Sequence, residues 1–164
     1  MDQIKKESVL LRFSNIEELT QSDRKLLLLA REAVDSSYAP YSKFYVGCAL
    51  LLANGVVIKG SNQENIAYPS GLCAERVAIF YAGSTYPDVA VIAMAITAKA
   101  NLYEVKSPVM SCGACLQSIS EYEVKFKQPI RTILQGETGE IYVSEKGTAA
   151  FLPFQFFIEE LKRS

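Results

Sequence analysis

YVGCALLLANGVVIKGSNQENIAYPSGLCAERVAIFYA, residues 45–82, carries three local patterns in succession. Residues 45–53 form a nearly unbroken apolar run of strand length. Asn54-Gly55 is a two-residue hairpin signal, because both residue types tolerate the positive φ that such turns demand. Residues 56–60 then read as the returning antiparallel strand. Residues 61–71 are polar and are broken by Pro69, Ser70 and Gly71, so they read as loop. From residue 73 to 82 the apolar side chains Val77, Ile79, Phe80 and Ala82 recur at helical spacing, which predicts a helix starting on a cysteine. A hairpin followed by a helix supplies a sheet layer and an element to cover it.

Working outward, Ser22-Asp23 offers a helix N-cap before the helix formers of residues 24–34, and Pro40 blocks continuation. In residues 1–20, segment 8–13 admits a short strand and 16–19 a turn of helix, leaving an N-terminal extension of unassigned structure. Downstream, residues 90–97 are apolar throughout and suit a strand covered on both faces. Residues 101–110 form a connection, and 112–122 a second helix that again begins with a cysteine. Residues 130–134 and 141–143 are further strands, and 153–162 a closing helix rich in aromatics. The order predicts one domain over residues 1–164. Its fold class is α/β, a three-layer α/β/α sandwich around a mixed sheet of about five strands.

Composition narrows the function. Apolar residues make up 49% and charged residues 21%, as in a globular protein, and the net charge is −1. No basic run exceeds the pairs Lys5-Lys6, Arg24-Lys25 and Lys162-Arg163, which disfavours a nucleic-acid partner. The N-terminus lacks the pattern of a secretory signal. The longest apolar run, residues 89–98, falls far short of the roughly 20 residues needed to span a bilayer. The expectation is a cytoplasmic protein with no membrane partner, in which cysteines are metal ligands, redox groups or core residues rather than disulfides.

The chain has no histidine. Catalysis by a Ser-His-Asp triad or a His-Glu-x-x-His zinc site is therefore excluded. What it has instead is Cys73-Ala74-Glu75 and, thirty-nine residues on, Cys112-Gly113-Ala114-Cys115. Both groups fall at predicted helix starts, where the helix dipole and free amides favour thiolate. Three thiolates fit a zinc ion that keeps its fourth position for water, with Glu75 close enough to move protons beside it. Three thiolates leave the site with net negative charge, and Arg76 is the candidate to draw charge from the sulfurs. Cys112 and Cys115 alone also fit a redox pair, and Cys48, inside an apolar strand, reads as core. A closed four-cysteine zinc including Cys48 needs that buried thiol to turn towards the metal.

At these residues the chain resembles the cytidine deaminase family, in its small homotetrameric branch acting on free nucleosides. The resemblance rests on YAPYSKFYVG (38–47), NQENIAYPSGLCAER (62–76), CGAC (112–115) and LPFQF (152–156), in order and at sensible spacing. It implies one Zn²⁺ per chain on Cys73, Cys112 and Cys115. Glu75 would be the proton shuttle, meeting N3 and the amino group of cytosine. The Ala74 amide would meet the pyrimidine O2 and Phe44 would pack against the base, while Asn62 and Glu64 would bind the ribose hydroxyls. Tyr68 and Phe156 would lie near subunit boundaries, with Phe156 closing a neighbouring site in a homotetramer with shared active sites. The implied reaction is hydrolysis of cytidine or deoxycytidine to uridine or deoxyuridine and ammonia, a step of pyrimidine salvage. Where the family usually has proline before the second cysteine pair and arginine after it, this chain has Ser111 and Leu116, which puts rate and substrate range in question. Two alternatives stand beside this reading. One is a deaminase of a related aminopyrimidine nucleoside such as blasticidin; the other is a non-catalytic zinc or redox domain on the same scaffold.

Overall fold

A computed structural model describes residues 1–158. The hairpin is built from β2 (Phe44–Leu52) and β3 (Val57–Ser61), paired antiparallel from Gly47 opposite Ser61 to Leu51 opposite Val57. Between Leu52 and Val56, the hydrogen-bonded pair that closes the turn, lie three residues, 53–55, rather than two. The Gly55 amide donates to Leu52 O at 2.9 Å, and the Leu52 amide to Val56 O at 2.9 Å. Gly55 alone takes a positive φ, +84°, while Asn54 uses its Oδ1 to accept from the Val56 amide at 3.1 Å. Asn54-Gly55 is thus the end of a turn closed by a glycine bulge.

The other strands are β1 (Leu11–Phe13), β4 (Val91–Ala100), β5 (Arg131–Gln135) and β6 (Ile141–Ser144). The sheet runs β1-β6-β5-β4-β2-β3, with β4 and β5 parallel and every other pair antiparallel. The sheet is mixed as expected but has six strands rather than five. The sixth comes from the extension, where Leu11 pairs with Val143 and Phe13 with Ile141.

Among the described residues, three α-helices cover this sheet: α1 (Gln21–Ala33) on one face, α2 (Ala74–Thr85) and α3 (Gly113–Phe126) on the other. Alternation along β4 feeds both cores. Met94 and Ile96 join Ala78, Ile79, Cys115 and Ile119 on the α2/α3 side, while Ala93 and Ala95 join Leu26, Leu27 and Ala30 under α1. The three layers are those the sequence implied.

Two glycines let the helices come this close. A Cβ on Gly47 would lie 2.1 Å from Ala30 O in α1, and one on Gly60 would lie 2.6 Å from Ala74 O in α2. The second approach sets the start of α2 against β3, and so fixes where Cys73 and Glu75 stand.

Two further expectations are corrected. The cap of α1 is Thr20, whose Oγ1 accepts from the Asp23 amide at 3.1 Å, and not the Ser22-Asp23 pair. Asp23 is buried and engages Arg131 at 2.9 Å, tying α1 to β5. The closing helix of residues 153–162 does not form over residues 153–158; the rest of it lies outside the described residues. There the Gln117 side chain on α3 takes both backbone groups of Phe156, donating to its carbonyl at 2.9 Å and accepting from its amide at 3.2 Å. A helical Phe156 amide would instead point back along its own segment. Among the described residues, no helix is long and apolar enough to cross a membrane.

Candidate active site

Cys73 is the N-cap of α2 and Cys112 the N-cap of α3; Cys115 lies in the first turn of α3. Neither capping cysteine spends its side chain on its own helix, so the sulfurs are free to face one another. Cys73 Sγ is 3.9 Å from Cys112 Sγ, and Cys112 Sγ is 3.5 Å from Cys115 Sγ. All three lie within 4.8 Å of one another. Sulfurs at two vertices of a tetrahedral zinc site stand about 3.8 Å apart, given Zn–S bonds of about 2.3 Å. The spacing and the all-thiol donor set therefore fit zinc, which would be held by Cys73, Cys112 and Cys115.

All four cysteines are free thiols, so Cys112 and Cys115 are not a disulfide. Cys48 is fully buried in the core, outside the three-sulfur group, and burial pushes its thiol well up. The four-cysteine arrangement is not what the fold assembles.

The three sulfurs differ in acidity. Cys73 is lowered to about 5, first by a hydrogen bond with Cys115, then by Arg76 and Cys112, with desolvation opposing. Cys115 is pushed up by that same contact, by burial and by the charge of Glu75. One sulfur thus gives up its proton readily while its neighbour keeps one until a cation takes its place. Arg76 Nη2 stands 3.8 Å from Cys73 Sγ and 3.5 Å from Gly71 O, where the sequence argument put a cation. Leu116 is buried and brings no second cation.

Glu75 follows in the first turn of α2 and is only 4% exposed. Burial raises its carboxyl above the ordinary range, while its own amide and Ser111 draw it back. It is an acid built to hold a proton longer than a surface glutamate.

A cavity of about 650 Å³ opens onto these groups. Cys73, Cys112, Glu75 and Arg76 line one part of it, and Phe44, Val46, Asn62, Glu64 and Tyr68 another. Asn62 is locked by two bonds to β2, accepting from the Val46 amide at 2.8 Å and donating to Phe44 O at 2.9 Å. Those bonds fix where Phe44 leaves the sheet. Glu64 accepts from the Tyr41 amide at 2.9 Å and the Ser42 amide at 3.3 Å, and the Ser42 hydroxyl, the first cause, holds its carboxyl low. Glu64 therefore stays ionised as an acceptor for hydroxyls. Tyr68 meets Tyr41 edge to face, ring centroids 6.0 Å apart.

Two named residues stand apart. Ala74 is fully buried as the first residue of α2, where its backbone amide belongs to an uncapped helix start. Phe156 is 69% exposed and does not line the cavity of its own chain. Conversely, Tyr41, Ser42, Val109 and Met110 line the cavity without having been singled out. Val109 and Met110 fell in a stretch read as plain connection, and their one signal is adjacency to Cys112. The arrangement suits a flat, partly apolar ring bearing a hydroxylated group, presented to a thiolate metal centre and a buried acid.

Residues 20–127 match the family described as the cytidine and deoxycytidylate deaminase zinc-binding region. A cytidine deaminase of Halalkalibacterium halodurans is 42% identical over 131 residues, 79% of this chain and 94% of that protein. One of Sporosarcina psychrophila is 36% identical over 141 residues, 84% of this chain and 93% of that protein. Among solved structures, a cytidine deaminase from Burkholderia pseudomallei superposes with a TM-score of 0.70 at 31% identity, covering 84% of this chain and 100% of that one.

Proposed function

The chain belongs to the cytidine and deoxycytidylate deaminase family, and from that premise we propose that it is a zinc-dependent hydrolase converting cytidine or deoxycytidine to uridine or deoxyuridine with release of ammonia. The observation that carries this reading is the cluster of three thiols within 4.8 Å of one another, two of which, Cys73 and Cys112, line one cavity together with the buried Glu75. A purely structural metal has no use for a buried acid at its side, which argues against a non-catalytic zinc domain. A group of three free thiols within 4.8 Å of one another, rather than two, argues against a redox pair.

Zinc, held one per chain by Cys73, Cys112 and Cys115, supplies the Lewis acidity that makes a water molecule reactive near neutral pH. The residues of the chain do the remainder. Phe44 packs against the pyrimidine, the Ala74 amide donates to O2, and Asn62 and Glu64 bind the sugar hydroxyls. Held this way, C4 faces the thiol cluster. Glu75 accepts a proton from the attacking water and passes it to N3 as the oxygen bonds to C4. It then conveys the second proton to the amino nitrogen, so that the C4–N bond breaks and ammonia departs. Arg76 balances the charge of the sulfurs throughout.

We place the enzyme in the cytoplasm, in pyrimidine salvage, as one domain over residues 1–164 and without nucleic-acid or membrane partners. It acts as a homotetramer with shared sites, in which Tyr68 stands at a subunit boundary and Phe156 closes a neighbour's cavity. The exposure of Phe156 and its absence from the lining of its own chain's cavity support that assignment.

The test compares turnover of cytidine, deoxycytidine, free cytosine and blasticidin by the fall in ultraviolet absorbance, with and without a zinc chelator. The two nucleosides turn over and the chelator abolishes it. Turnover confined to blasticidin would reassign the substrate.

A further inference from the structure

Gln117 holds Phe156 by its main chain. Its Nε2 donates to the Phe156 carbonyl at 2.9 Å, and its Oε1 accepts from the Phe156 amide at 3.2 Å. One flat amide thereby meets both backbone groups of a single residue, which fixes the direction of the segment as well as its distance. A second tie lies further along the same helix. Glu123 accepts from the Thr148 amide at 3.1 Å and from the Thr148 hydroxyl. Between the two ties, Phe151 packs against the core on the α2/α3 side. Gln117 stands about 9 Å along the helix from Glu123, so residues 148–156 run back along α3 towards its cysteine end.

The ring that this strap carries does not serve the cavity of its own chain. Phe156 is 69% exposed and Phe154 66%, and neither lines the cavity; nor does Gln117. A tie that only anchored the segment would gain most by burying those rings. Here the backbone is held and the rings are left out, as on a surface that meets another molecule.

We propose that Gln117 is a positioning residue for a neighbouring copy of this chain: its paired bonds set the Phe156 main chain so that the ring enters that copy's cavity. The role rests on the deaminase and shared-site reading, and it specifies how one chain completes the site of another. Because α3 also carries Cys112 and Cys115, the helix that builds one site aims the cover of the next. The loss on breaking the clamp falls on substrate binding, not on the chemical step or metal content.

The experiment measures kcat, KM for cytidine, zinc per chain, oligomer mass and melting temperature for Gln117→Met and Gln117→Ala, alone and combined with Phe156→Ala. Both replacements favour helix, so α3 is kept. Each raises KM roughly tenfold with kcat within about twofold, the order expected when two hydrogen bonds no longer preorganise a binding group. Zinc and oligomer mass stay as in the parent, and the protein remains folded at the assay temperature. In Phe156→Ala, where the ring is already gone, the Gln117 replacements raise KM no further. Mixed oligomers of Gln117→Met chains with Glu75→Gln chains then test action between copies. Their working sites lie on the Gln117→Met chains, and a neighbour with intact Gln117 lends them a held Phe156, so KM falls back towards the parental value. Parental KM in both Gln117 variants overturns the proposal, as do losses that multiply with Phe156→Ala, a KM that mixing leaves unchanged, or a loss that tracks zinc or folding in both. The parent and Phe156→Ala are read first. A zinc-loaded parent that never deaminates cytidine overturns the deaminase reading, whereas Phe156→Ala with parental KM overturns the shared site, and this role with it.

Discussion

Arg76 stands with Nη2 3.8 Å from Cys73 Sγ, and among the described residues lining the cavity it is the one cation. With Leu116 buried where the related family usually has arginine, the charge on three sulfurs falls to this side chain. In metal-free protein Cys73 titrates near 5, so above that pH it is a thiolate, and Arg76 is one cause after Cys115. Replacing Arg76 by Gln raises that pKa, so alkylation of Cys73 by iodoacetamide at pH 6 slows, and zinc is lost at lower chelator concentration. Unchanged alkylation and zinc retention would show the guanidinium to be a bystander. That Cys73, Cys112 and Cys115 gather in one place was legible in the sequence, because both cysteine groups fall at helix starts and Cys-x-x-Cys sets two sulfurs on one turn. Asn62 was named for the sugar, but its double tie to the β2 backbone was hidden, since a side chain meeting main chain sixteen and eighteen residues away leaves no periodic trace. Because of that tie, Asn62→Ala raises KM for cytidine and also loosens Phe44. Steady-state kinetics on Asn62→Ala and Phe44→Ala, singly and together, should show losses that do not add.

The start of α2 is seated by Gly60, where any Cβ would meet Ala74 O at 2.6 Å. Gly60→Val must push the helix start away from β3, carrying Cys73 with it. We expect zinc content well below one per chain and a stability loss of about 1–3 kcal/mol from overpacking. Gly55→Ala is the contrast: nothing lies within 4 Å, so only the left-handed φ of +84° is strained, and the cost is about 1–2 kcal/mol with zinc unaffected. Metal analysis with denaturant unfolding separates the two, and equal zinc content in both would contradict the seating argument. The helices and long strands were legible because their apolar periods are strong. The ends were not. Thr20 and not Ser22 caps α1, the hairpin loop has a third residue, and the Gln117 clamp on Phe156 competes with helix formation where aromatics had suggested one. Each difference comes from one to three specific hydrogen bonds, which a hydrophobic pattern cannot encode.

On the scale of the molecule, β1 covers the outer edge of β6, so the extension leaves this side of the sheet with an edge strand of only three residues, a short edge that offers little for another chain to pair with. A strand of three residues carries almost no pattern, which is why the sheet was expected to have about five strands. Aromatic and aliphatic side chains stay exposed at Ile66, Tyr68, Leu102, Phe154 and Phe156. In the proposed tetramer these meet other copies, and sedimentation should give about four chains' mass. Phe156→Ala should then raise KM for cytidine although Phe156 does not line this cavity in its own chain. A monomer with undiminished activity would remove the shared-site proposal while leaving the chemistry of Glu75 intact.

The most direct measurement pairs zinc analysis with the ultraviolet change on cytidine in the parent protein and in Glu75→Gln. Both proteins should carry about one zinc per chain. The parent turns cytidine over, and the variant is slower by about 10²–10⁴-fold, the usual range for losing a general acid–base. A zinc-loaded parent that leaves cytidine untouched, or a Glu75→Gln protein as fast as the parent, would contradict it.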